Sequence, residues 1–162
     1  MESASWLNTN GRCQNLPDLK EIAQAFLKEA RADLRSARLL LAGKEYSQTI
    51  VHCQHAAEKT LKAALALRHI IITRQHTVSP DFVAAFSDCA EANQIALAAS
   101  ALEKEGSRTE YPFFGRTDLP IWIPSEQYNE TDASDALEKA GYVYRTVTAF
   151  LREKHGLEGA AD

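Results

Sequence analysis

The chain has 162 residues, 45 % of them hydrophobic and 25 % charged, with a formal net charge of −4. This is the size of one domain, with enough apolar material to build a core without disulfides or metal. The acidic balance excludes a protein whose whole surface coats nucleic acid and leaves room only for a local basic patch. The three cysteines, Cys13, Cys53 and Cys89, are odd in number, widely spaced and form no CxxC pair. That pattern excludes a disulfide scaffold and fits reduced thiols in a cytoplasm. No apolar run is long enough to cross a bilayer, and the first residues lack the apolar core of a signal peptide. Cytoplasmic residence without a membrane partner is the expectation.

Residues 1–17 are polar, with Asn10-Gly11 as a turn signal, and read as a flexible lead-in to a single helical domain over 18–155. Asp18 and Glu21 have the spacing of a capping box after Pro17. They open a long helix to about Ala42, with Ile22, Ala25, Phe26, Ala30, Asp33, Leu34, Ala37, Leu40 and Leu41 on one stripe. On this helix Glu29 and Asp33 read as i,i+4 partners for its arginines and lysine. Gly43 reads as the residue that stops the helix, and Lys44-Glu45-Tyr46 as a short turn.

Ser47 then caps a second helix to about Leu67. Its seam is Ile50, Cys53, Ala57, Leu61, Ala64 and Leu65, small enough for a neighbouring helix to approach closely. Two long helices with a short connection form an antiparallel αα-hairpin. The fold class is therefore all-α, an up-and-down bundle of four to five helices built on that hairpin.

Ile70-Ile71-Ile72 covers the hairpin end, and 73–80 is a loop. A third helix starts at Ser79 or Asp81 and runs to Ala92, with Phe82, Val83, Phe86 and Cys89 or Ala90 inward. A fourth spans Ile95 to Lys104, with Ile95, Leu97, Ala98 and Leu102 apolar. Residues 106–128, rich in proline and aromatics, read as a non-helical ordered loop strapped over the bundle, with Tyr111, Phe113, Phe114 and Trp122 as pegs. Asn129, with Asp132 three residues on, caps a last long helix to about Lys154. Gly156 stops it, and 156–162 reads as a disordered tail.

Gln48, His52, His55, Lys59 and Lys62 lie opposite the seam of the second helix. Cations on a rigid helix suit a phosphate or an RNA backbone, and Arg68, Arg74 and His76 sit at the same end of the hairpin as Lys62. The alternative is a solvated helix face. His52 and His55, three apart, reach toward one point, but a zinc site needs a third ligand; Glu58 could lean in, yet no carboxylate is well placed. No metal and no cofactor are assigned. Glu58 has Lys62 at i+4 and reads as a helix-stabilising pair. On the loop, Arg108 suits a phosphate while Tyr111 or Phe113 stacks on a base, with Glu110 and Arg116 nearby. Against this stands simple packing of the aromatics with Arg108 paired to an acid. No Walker loop, GxGxxG, HExxH or GxSxG pattern occurs.

Ala30, Asp33, Leu34, Ala37, Leu40, Leu41 and Tyr46 match a run A-x-x-D-L-x-x-A-x-x-L-L followed by a short turn to Tyr. Gln54, Ala57, Glu58, Lys59, Leu61, Lys62 and Ala63 stand for a following Q-x-A-E-K-x-L-K-A helix. His76 stands just ahead of the third helix, where a His matching a family pattern falls, and Arg108 with Tyr111-Pro112 stands near an Arg-Tyr-Pro, with Thr-Glu inserted. Over roughly residues 20–154 the chain resembles the HEPN domain family, named for higher eukaryotes and prokaryotes nucleotide-binding domains.

The resemblance implies a four- to five-helix bundle, often a homodimer. Some members are ribonucleases, many of them toxins paired with a minimal nucleotidyltransferase; others bind nucleotide or RNA without catalysis. The catalytic members carry Arg, four to six residues, then His. Here Arg152 and His155, Arg145 and His155, Arg68 and His76, and Arg74 and His76 all miss that spacing, so no catalytic residue is carried over. The expectation is a non-catalytic nucleotide- or RNA-binding regulatory module, a homodimer that works with a nucleotidyltransferase-domain partner. Its ligand residues would be His52, His55, Lys59, Lys62, Arg74, Arg108 and Tyr111. The rivals are a metal-independent ribonuclease using a displaced pair, His76 and Arg108, and a purely structural helical adaptor.

Overall fold

The computed structural model describes residues 17–115 and 121–157. The expected N-terminal lead-in, Cys13, Arg116 and the end of the tail lie outside them. Helices α1 (Leu19–Ala42) and α2 (Tyr46–Leu67) form the hairpin, and α7 (Glu130–His155) packs along both. The shorter α3 (Ser79–Ala85) and α4 (Ala92–Glu103) close the remaining side, α4 packing on α7 and α2. The architecture is the all-α bundle that helical periodicity predicts.

Each long helix starts where side-chain chemistry says it must, or misses for a visible reason. Asp18 and Glu21 form the capping box of α1, each accepting the other's backbone N–H, and Asn129 with Asp132 does the same for α7. Ser47 does not cap α2: the cap falls two residues earlier, at Glu45, which makes no side-chain bond there, and Ser47 is buried. The turn is also shifted. Gly43 keeps right-handed helical geometry, and Lys44 takes the left-handed position at φ 63°. The Glu45 N–H reaches Leu40 O at 2.9 Å across it, closing the last turn.

The predicted seam of α2 is buried in full, from Ile50 to Leu65. The rest of the helix departs from a one-faced reading, because Thr49, Gln54, Thr60, Lys62 and Ala66 are buried too. α2 is the axis of the bundle, touched by α1, α3, α4, α7 and the segment after α4. Alanines make this geometry accessible, since small side chains let several helices approach one rod at once.

Residues 106–128 correct the expectation of a loop. They fold as α5 (Gly106–Glu110), a two-stranded hairpin of β1 (Phe113–Phe114) and β2 (Ile121–Trp122), and α6 (Pro124–Gln127). Prolines forbid one long helix but not short ones between them: α5 ends before Tyr111-Pro112, and Pro124 sits in the first turn of α6, where its missing N–H costs nothing. Phe113 stacks on Trp122 at 5.5 Å and Trp122 meets Tyr128 edge-on, so these rings do peg the segment. Tyr111 and Phe114 do not; they are 64 % and 77 % exposed.

Three further expectations shift. α3 ends at Ala85, although Phe82, Phe86 and Cys89 are still buried as expected. Leu97 faces solvent, and Ala99 takes the inward position on α4. Leu157 is not tail: Gly156 turns left-handed at φ 57° and folds Leu157 back into the core, its N–H reaching Leu151 O. Among the described residues no helix is long and apolar enough to cross a membrane.

Candidate functional site

The cationic stripe of α2 is not bare. Asp33, on the inward side of α1, places Oδ2 2.6 Å from Lys59 Nζ and Oδ1 2.9 Å from His52 Nδ1. His55 Nε2 lies 3.8 Å from Glu110 Oε1 on α5, and the two imidazoles meet edge-on with centroids 6.3 Å apart. The i,i+4 role read for Asp33 gives way to this contact across the hairpin. Asp33 sits among Ala30, Leu34 and Ala37, so its carboxylate points at α2, and a buried carboxylate must find partners there. Gln48 stays exposed at the start of the stripe.

Lys62 corrects the outer-flank reading. It is buried, and its ammonium sits 2.7 Å from Glu58 Oε1 in the predicted i,i+4 pair. The second oxygen of Glu58 lies 3.1 Å from Nδ1 of the exposed His76, which the 73–80 loop delivers. Nearby, Glu103 accepts from the Val78 and Ser79 backbone N–H groups and from the Ser79 hydroxyl, and so holds that loop down. Arg74 is exposed on the same loop. Arg68 is engaged elsewhere, paired through both oxygens of Asp88 and lying over the Phe86 ring.

Among the described residues Arg108 forms no ion pair with an acid. Its guanidinium lies 5.0 Å from the centre of the Trp122 ring, and the indole N–H donates to the Arg108 carbonyl at 2.9 Å. Arg108 also borders a cleft of about 370 Å³ with Ile50, Glu105, Tyr128 and Asp132. There the Tyr128 hydroxyl donates to Glu105 at 2.6 Å, and burial together with that carboxylate pushes the phenol well above its ordinary range. His76 and Arg108, the displaced pair, are thus committed to different partners, Glu58 and Trp122.

Two groups escaped sequence reasoning as site members. Asp33 carried a readable signal, an acid inside an apolar stripe. Phe114 carried none, because exposure of one ring in an aromatic segment is decided by the hairpin's twist and register.

A bundle of this order and length defines an all-α class, and two solved structures share it. One is TT1696 from Thermus thermophilus, with TM-score 0.66 and 26 % identity over 78 % of this chain and 96 % of that one. The other is ST0689, described as an archaeal HEPN homologue, with TM-score 0.60 over 84 % of this chain and 99 % of that one; at 23 % identity it speaks for the fold alone. The family model for the HEPN domain matches residues 23–153, and the chain belongs to that family. It is also similar to a Methanocaldococcus jannaschii protein named "Putative toxin MJ1304", 33 % identical over an alignment of 145 residues that covers 84 % of this chain and 92 % of the relative.

Proposed function

We propose that this protein is the HEPN half of a toxin–antitoxin-type pair, a homodimeric cytoplasmic module that binds single-stranded RNA or nucleotide and is controlled by a nucleotidyltransferase-domain partner. The toxin name of the relative supports the pairing. The observation that carries the binding reading is the α5–hairpin segment. Tyr111 and Phe114 present open rings beside a fixed arginine, Arg108, on a segment anchored by Trp122. Bases stack on such rings whatever their identity, while a guanidinium meets the backbone phosphates. The α2 stripe is a weaker contributor than its sequence implies, because Asp33, Glu58 and Glu110 offset His52, Lys59, Lys62 and His55.

Fluorescence anisotropy with a labelled single-stranded RNA tests this. Tyr111→Ala and Phe114→Ala are each expected to weaken binding by about 5- to 150-fold, the equivalent of ~1–3 kcal/mol of stacking per base. Arg108→Ala is expected to flatten the salt dependence. Absence of binding by the intact chain defeats the reading.

The ribonuclease alternative has one observation in its favour, a histidine oriented by a buried carboxylate. The Glu58–His76 contact leaves Nε2 of an exposed imidazole for proton transfer. RNA incubated with the protein in EDTA decides it: cleavage lost in His76→Ala establishes that mechanism, and intact RNA removes it. An adaptor without ligand is the outcome if neither RNA nor nucleotide raises the melting temperature.

A further inference from the structure

Asp33 of α1 and His52 and His55 of α2 place one donor atom each within 4.8 Å of one another. We propose that this flank binds one divalent transition-metal ion of the zinc class, with those three side chains as ligands and Glu110 bordering the open position. The donor set selects the ion. Two imidazoles and a carboxylate suit zinc, cobalt or nickel, whereas calcium and magnesium want shells of oxygen.

The geometry is close to closed. Zinc bonds of about 2.0–2.2 Å put neighbouring donors on a tetrahedral ion roughly 3.3–3.6 Å apart. The widest donor pair, within 4.8 Å, closes by no more than about 1.5 Å, while Asp33 Oδ1 and His52 Nδ1, now 2.9 Å apart, open slightly to admit the ion. The imidazoles have that freedom, since each side chain is about one-third exposed (32 % for His52, 35 % for His55). Asp33 stays fixed because Lys59 holds Oδ2 from outside and leaves Oδ1 turned toward His52. An outer partner on a ligating carboxylate is what a built metal site requires. The ion would tie α1 to α2 beside α5, at a point where the hairpin is now joined by hydrogen bonds.

The test uses tag-free full-length protein stripped with chelator. Zinc chloride is titrated by calorimetry and cobalt chloride by visible absorption, with melting temperature read in parallel. The expected result is one ion per chain, cobalt bands in the visible and a raised melting temperature, because the ion binds only the folded arrangement. His52→Ala and His55→Ala, both at partly exposed positions, are each expected to keep the helical circular dichroism and weaken zinc by about tenfold or more. Should Asp33→Asn fail to fold, these two variants still decide the matter. No heat and no shift with zinc or cobalt overturns the proposal. So does zinc binding that survives unchanged in the His52→Ala/His55→Ala double variant.

Discussion

Two carboxylates in this molecule are each clasped between a lysine and a histidine, and they differ in how they came to be so. Glu58 holds Lys62 from its own helix, four residues on, and His76 from a loop. Asp33 holds Lys59 and His52, both from the helix across the hairpin. The first lysine is sealed, with 4 % of its side chain exposed; the second keeps 31 %. The lesson is that a shared chemical motif carries different energy according to burial. In the sealed pair the Lys62 ammonium has only Glu58 for a partner among the described residues, whereas at Asp33 water is at hand for the partners.

That difference orders the expected effects. The largest is at Glu58. Glu58→Ala strands a buried ammonium and is expected to lower unfolding free energy by about 3–5 kcal/mol, while Glu58→Leu with Lys62→Met is expected to recover most of the loss. Urea denaturation measures both, and an equally destabilised double variant would break the interpretation. Asp33→Asn comes next, at about 1.5–3 kcal/mol, the scale of hydrogen bonds to a charged group, since Lys59 and His52 can turn to solvent. A loss at Asp33 as large as at Glu58 would show that the two clasps are equivalent after all.

At neutral pH the smallest effect belongs to the thiol between them in sequence. Burial pushes Cys53 up to about 12, with Arg38 pulling it down and Asp33 raising it further. The unfolded thiol ionises near its ordinary value of about 8.5. The native chain therefore holds an extra proton between that value and about 12, and this contribution to stability is present below the window and drains away as pH rises through it. At neutral pH, alkylation of Cys53 is expected only after unfolding, a result read by mass spectrometry of the labelled chain.

Much of the fold was legible because it is local. The capping boxes at Asp18 and Asn129, the seam of α2 and the Glu58–Lys62 pair all lie within one or two helical turns, where fixed pitch converts spacing directly into position. The site was legible only in part, for the same reason. His52 and His55 were read as neighbours from their spacing, but the third group beside them sits on another helix. Lys62 and Lys59 look alike in sequence, three residues apart in one cationic stripe, and nothing local distinguishes the buried one.

What the sequence determined alone is therefore the set of rods: where α1 and α7 are capped, the apolar seam of α2, and that the first two helices fold back on each other. What only the tertiary structure decided is how many neighbours each rod has. Periodicity reports a direction outward from a helix axis, not what stands there, so α2 could be placed at the centre of the bundle only once α1, α7 and the α5–hairpin segment had closed around it. With that closure, carboxylates from α1 and α5 came to face His52, His55 and Lys59 of α2, turning a stripe of charge into paired and partly buried chemistry.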